Sequence, residues 1–121
     1  MIQIRDVLQV KFGKIDQAVE LFTAPPDHSL AVTVPGHRFE ALTDISGPMY
    51  TLVNTFVVND LAEFTRLRDE QYREPAFDEW FRQFQLFVEG GRRELFTVEG
   101  AYAVWSKPGV VVVRESYRAY K

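Results

Sequence analysis

The sequence predicts one α+β domain, an antiparallel four-stranded sheet with helices on one face, in the order β-α-β-β-α-α-β. Three observations lead there. Ile2 to Lys11 alternates between apolar and polar residues with a period of two. Tyr50 to Val58 divides into a bulky face (Tyr50, Leu52, Asn54, Phe56, Val58) and a β-branched face (Thr51, Val53, Thr55, Val57). Between and after these strands, apolar residues recur at helical spacing, bounded by Gly, Pro and Asp.

The elements follow in order. In the first strand Ile2, Ile4, Leu8 and Val10 share one face, and Gln3, Arg5, Gln9 and Lys11 the other. Asp6 and Val7 break the alternation, which marks a bulge or a functional exception. Gly13 turns the chain, and Ile15, Ala18, Val19 and Phe22 predict a helix over about 14–23, ended by Pro25-Pro26. Arg38 to Ile45 reads as the second strand, and Ser46-Gly47-Pro48 turns into the third. Asn59-Asp60 opens a helix over about 60–72, with Leu61, Phe64 and Leu67 inward and Arg66, Arg68, Asp69 and Glu70 solvated. Pro75 suits the first turn of a second helix, over about 75–89, which Gly90-Gly91 is expected to stop. Glu94 to Glu99 then reads as the returning strand. Ala101 to Trp105 and Val110 to Tyr117 flank Ser106-Lys107-Pro108-Gly109, a hairpin signal. The expected organisation is a domain over 1–99 with a C-terminal β arm over 100–121.

A chain of 121 residues with 46% hydrophobic and 14% aromatic composition can bury enough surface to offset chain entropy in one core. The net charge of −3 is dispersed, which argues against nucleic acid or an anionic membrane as partner. Without cysteine there is no disulfide, thiolate catalysis or Cys-ligated zinc. No signal peptide is visible, and runs such as Val110 to Val113 are too short to span a bilayer. A cytoplasmic protein is the expectation.

Two sets of residues resemble a known family. Ile2-x-Ile4-Arg5 is followed by Val10-x-x-Gly13-Lys14. Pro75-x-Phe77-x-x-Trp80-x-x-x-Phe84 is followed by Gly91-Arg92-Arg93-Glu94-Leu95. Over roughly residues 1–99 these resemble the NIPSNAP-like branch of the dimeric α/β-barrel superfamily. The resemblance implies a ferredoxin-like subunit and a homodimer whose two sheets form a barrel. It implies little about chemistry, because many members lack an assigned activity. Others are cofactor-free monooxygenases, haem-degrading enzymes or small-molecule isomerases, and such activities are fold-level analogies.

Asn54 is the polar exception on the bulky strand face, and a buried amide needs its hydrogen bonds made. Cofactor-free and haem-degrading members of the superfamily place an Asn in the cavity between sheet and helices. The haem enzymes pair it with a Trp and a helical His. Here Trp80 is on a suitable helix that has no His, so haem ligation is not expected. The plainer reading is an Asn bonded to backbone beside a core Trp. His28 and His37 are the only histidines, and neither has metal-ligand spacing; both read as solvated loop residues. His37 stands at the start of the second strand, where a general base is conceivable. Arg5 could anchor a carboxylate or pair with an acid across a dimer. Tyr50 could offer its hydroxyl to the cavity or simply pack. The stripe Phe77, Trp80, Phe81, Phe84, Phe87 reads as core plus interface rather than a cofactor box. There is no Gly-rich phosphate loop, no triad order, and no carboxylate pair on an apolar helix face.

The function expected from this is a homodimeric protein that binds a small apolar molecule between sheet and helices, with Asn54, Phe56, Trp80, Phe84 and Arg5 as contacts. The alternative is a cofactor-free monooxygenase or isomerase, with His37, Asn54 and Tyr50 as candidate catalytic groups. No metal or cofactor is expected. The β-branched face is too apolar to leave wet, and a second subunit is its expected cover.

Overall fold

The computed structural model describes residues 1–23 and 39–100. Its elements are β1 (Ile2–Val10), α1 (Ile15–Thr23), β2 (Glu40–Thr43), β3 (Thr51–Val58), α2 (Leu61–Arg73), α3 (Pro75–Phe87) and β4 (Val88–Thr97). The sheet order is β2-β3-β1-β4, and every neighbouring pair is antiparallel. This is the ferredoxin-like α+β arrangement that the patterning predicts. The expected C-terminal arm lies outside the described residues.

The helix boundaries follow local chemistry. Asp60 caps α2 by accepting from the Glu63 backbone N–H at 2.8 Å. Glu63 reaches back to the Asn59 backbone N–H at 3.2 Å, which satisfies two donors reciprocally. Pro75 opens α3, where its missing N–H costs nothing. Leu61, the first residue of α2, is 55% exposed rather than inward.

Gly90-Gly91 does not stop α3. The helix gives way directly to β4 at Val88, which takes extended dihedrals and is buried with Leu8, Val10 and Leu52. The glycines lie inside the strand, opposite Gln9 and Leu8. At Gly91 a Cβ would stand 2.6 Å from the Val7 carbonyl oxygen and 2.8 Å from Leu8 Cδ2. The residue is therefore glycine because two strands approach closely, not because a helix must end. β3 begins at Thr51 rather than Tyr50, because Tyr50 holds a left-handed φ of 59° in the preceding turn.

Pairing aligns the sheet residues in rungs. Leu52 and Leu8 are partners, with Gly91 next on β4. Phe56 and Ile4 are partners, with Leu95 next. Both rungs face the helices, and each belongs to its own apolar cluster. Ile4, Phe56, Val58, Phe64 and Leu67 form one; Leu8, Val10, Ala18, Leu52 and Val88 form the other. The rung between them is Ala41–Asn54–Asp6–Arg93. A polar row thus divides the core in two. The opposite sheet face carries Arg5, Val7, Val53, Thr55 and Val57.

Candidate functional site

The polar rung is the floor of a cavity of about 600 Å³ between the sheet and the helices. Asp6, Asn54 and Arg93 all line it. Its roof and walls are aromatic: Phe22 from α1, Phe64 and Tyr72 from α2, and Phe77, Trp80, Phe81 and Phe84 from α3. The α3 residues recur three and four apart, so their rings stack in a row at centroid separations of 5.5 to 5.9 Å. No residue of α3 is fully buried. Of the stripe expected as core plus interface, Phe77, Trp80, Phe81 and Phe84 line the cavity, and Phe84 and Phe87 also pack against the core cluster of Leu8, Val10, Leu52 and Val88.

Trp80 is fixed from behind. Its indole N–H donates to the Leu21 carbonyl at 3.0 Å, and Phe22 meets the ring edge to face at 5.2 Å. That leaves the ring as an apolar surface with its one donor already committed. Asn54 differs: its side chain lines the cavity and makes no hydrogen bond among the described residues. The plainer reading, an amide tied to backbone, is not what is seen.

Asp6 and Arg93 form a two-point ion pair across β1 and β4. Arg93 Nε donates to Asp6 Oδ1 at 2.6 Å and Nη2 donates to Oδ2 at 3.0 Å. The Asp6 side chain is 16% exposed and that of Arg93 44%, so the acid lies below and the base above. The Asp6 hydrogen bond pushes the Arg93 pKa up from its ordinary value, against the lowering effect of burial, and the guanidinium stays charged. Its Cζ also lies 5.2 Å from the Phe64 ring centroid, and Arg68 Cζ lies 5.8 Å from the same centroid. Two cations therefore share one ring at the cavity wall.

Of the residues singled out in the sequence, Asn54, Phe56, Trp80 and Phe84 come together around this cavity. Arg5 and Tyr50 do not. Arg5 points to the other sheet face, with its Cζ 5.3 Å from the Phe96 ring centroid. Odd and even positions of a strand face opposite ways, so a residue flanking Asp6 cannot reach the cavity. Tyr50 packs against the cluster around Leu52 and meets Phe12 at 5.0 Å. His28 and His37 lie outside the described residues. Sequence reasoning gave no role to Arg68 or Arg93 and left Asp6 as an unexplained exception. A signal existed: Asp6 is in phase with Ile4 and Leu8, and an acid at a core-facing position requires a partner.

Among the described residues no group of three or more His, Asp or Glu could hold a metal. No helix among them is long and apolar enough to cross a membrane. No family model matches the sequence. No curated protein matches it either. Solved structures do match. An uncharacterized NIPSNAP domain protein from Burkholderia xenovorans aligns at TM-score 0.69 and 15% identity, covering 86% of this chain and 99% of that one. A NIPSNAP family protein with unknown function from Agrobacterium tumefaciens aligns at TM-score 0.70 and 11% identity, covering 79% and 86%. A candidate antibiotic biosynthesis monooxygenase from Chloroflexus aurantiacus aligns at TM-score 0.62 and 10% identity, covering 86% and 98%. These are the kinds of protein to which the sequence motifs pointed. At such identities the likeness shows the shared fold.

Proposed function

We propose that the protein is a homodimer that binds a small apolar or aromatic molecule in the cavity between sheet and helices. One observation carries the ligand reading. The α3 aromatics are stacked and held in place, yet they border open volume instead of packing to core density. A volume near 600 Å³ lies within the usual range for small-molecule sites. The dimer reading is supported by the half-buried Val7, Val53 and Val57 on the far sheet face, which offers a self-complementary patch.

The direct test uses N-phenyl-1-naphthylamine, a neutral fluorescent probe, and native mass spectrometry. Saturable binding of one probe per chain is expected, at twice the chain mass. A protein that takes up no probe and carries no copurified small molecule would overturn the ligand reading. A monomer at micromolar concentration would overturn the dimer.

A second reading is a cofactor-free monooxygenase. It is favoured by the likeness to candidate antibiotic biosynthesis monooxygenases and by the placing of Asn54 and Trp80 in one cavity. Against it, both oxygens of Asp6 are engaged by Arg93, and the other carboxylate lining the cavity among the described residues, Glu89, is exposed. Oxygen uptake in the presence of a naphthalenediol decides between binding alone and turnover.

A further inference from the structure

We propose that the polar rung is a head-group site, and that the cavity takes an apolar or aromatic molecule bearing one carboxylate, anchored on Arg93. This rests on the ligand-binding reading above and narrows it to a chemical class.

The argument starts from the arginine. A guanidinium has five N–H donors. Among the described residues Asp6 alone bonds this guanidinium, through Nε–H and one donor of Nη2, which leaves three for another acceptor. The pair with Asp6 also holds the planar fork in one orientation, so less freedom is lost when a second acceptor arrives. Asp6 is in this sense a positioning residue, and Arg93 the group that would touch the ligand.

Charge points the same way. Among the described residues the charged groups lining the cavity are Asp6, Glu89, Arg68, Arg92 and Arg93, and the two guanidiniums at its aromatic wall are those of Arg68 and Arg93. Arg92 is engaged by Glu94 at 3.3 Å, outside the rung. The ion-pair partner of Arg68 is its exposed neighbour Asp69, at 3.9 Å, which is a weak contact in water. Arg68 and Arg93 both lie against Phe64, so a ligand filling the aromatic chamber would strip water from two guanidiniums at once. A neutral ligand would leave that desolvation uncompensated. A monoanion compensates it, and a planar carboxylate matches the fork.

Asn54 completes the site. Its amide lies next to Asp6 on the same rung and has no partner among the described residues. It can donate to a carboxylate oxygen or to a ring substituent near it. The rungs on either side are apolar where they cross β1 and β3.

The test compares two ligands of nearly equal shape, naphthalene-2-carboxylate and naphthalene-2-carboxamide, by titration calorimetry. The full chain is expected to bind the carboxylate at least about tenfold more tightly than the amide. Arg93→Gln should bring the two close to parity, chiefly through loss of carboxylate affinity. Arg68→Gln, at a half-buried position on the cavity wall, should lower the carboxylate preference about threefold. Raising sodium chloride should shrink the preference in the unmodified chain. Equal binding of both ligands overturns the head-group site while the cavity reading stands. Failure of both to bind overturns the cavity reading as well. A carboxylate preference that survives in both variants places the anchor elsewhere and overturns the assignment. Should Arg93→Gln not fold, the Arg68→Gln result and the salt dependence decide.

Discussion

The two consecutive helices α2 and α3 have 13 residues each and opposite character. α2 is largely charged and polar, yet Phe64 and Leu67 are buried against Ile4, Phe56 and Val58. α3 carries Phe77, Trp80, Phe81, Phe84, Leu86 and Phe87, yet buries no residue fully. The less apolar helix places residues in the buried core, and the more apolar one meets the core only through the partly buried Phe84 and Phe87. Hydrophobicity alone would have assigned these roles the other way round. What separates them is what lies beneath. α2 sits over an apolar cluster and can seal it, whereas the α3 row faces the cavity above Asn54, Asp6 and Arg93. Aromatics have no reason to collapse onto an ion pair. The α3 surface is available to a molecule that satisfies both the rings and the charges.

The largest expected effect tests this contrast directly. Leu67 is 3% exposed, and Leu67→Ala should cost about 2–5 kcal/mol in chemical denaturation. Phe81 is 41% exposed on the cavity rim, and Phe81→Ala should cost about 1 kcal/mol at most. The same substitution should weaken N-phenyl-1-naphthylamine binding. Equal stability losses would show that α3 belongs to the core after all.

Much of this was legible in the sequence because it was written in periodicity. The strand alternation in Ile2 to Lys11 and the split faces of Tyr50 to Val58 define the sheet, and β1 and β3 are found where those patterns lie. The helix starts were legible in Asp60 and Pro75, whose chemistry is local. The errors arose where a residue's role depends on a distant strand. Gly90-Gly91 looks like a stop in one dimension, and only the register with β1 shows the close approach to Val7 and Leu8. Arg93 received no structural role because its partner is 87 residues away. Cavity and core also share one signature, since a helix that lines a space and one that fills it need the same apolar stripe.

The next two effects concern the floor. Gly91→Ala places a methyl group against the Val7 carbonyl and Leu8 Cδ2, and the strands must shift to admit it. A loss of about 1–3 kcal/mol is expected, read by thermal unfolding. No loss would show that β4 can move away from β1 freely. Asp6→Ala removes the acceptor from the partly buried Arg93, and a cost of about 1–3 kcal/mol is expected. Replacing both, Asp6→Leu with Arg93→Leu, should recover most of that, because two apolar side chains would join the flanking clusters into one core. That pair of results would show that the polar rung is costly to folding and is kept for another purpose. A double variant no better than the single one would make the ion pair a fold determinant instead.

The smallest expected effect on stability is at Asn54, and it separates site from scaffold most cleanly. Its amide makes no bond among the described residues, so little is lost when it is removed. Leu52 and Phe56 lie on the same strand face, and a leucine at 54 would extend their apolar surface toward Ala41 and Asp6. Removal of an unpartnered polar group from a half-buried position is favourable, so Asn54→Leu should unfold at equal or slightly higher denaturant, a gain of about 1 kcal/mol or less. Carboxylate ligands should bind more weakly to this variant than to the unmodified chain, by about fivefold for one lost hydrogen bond. The two readouts move in opposite directions only if Asn54 serves a ligand. A clear loss of stability would mean that the amide supports the fold. Unchanged affinity with unchanged stability would leave the cavity to its rings and to Arg93, and would take Asn54 out of the site.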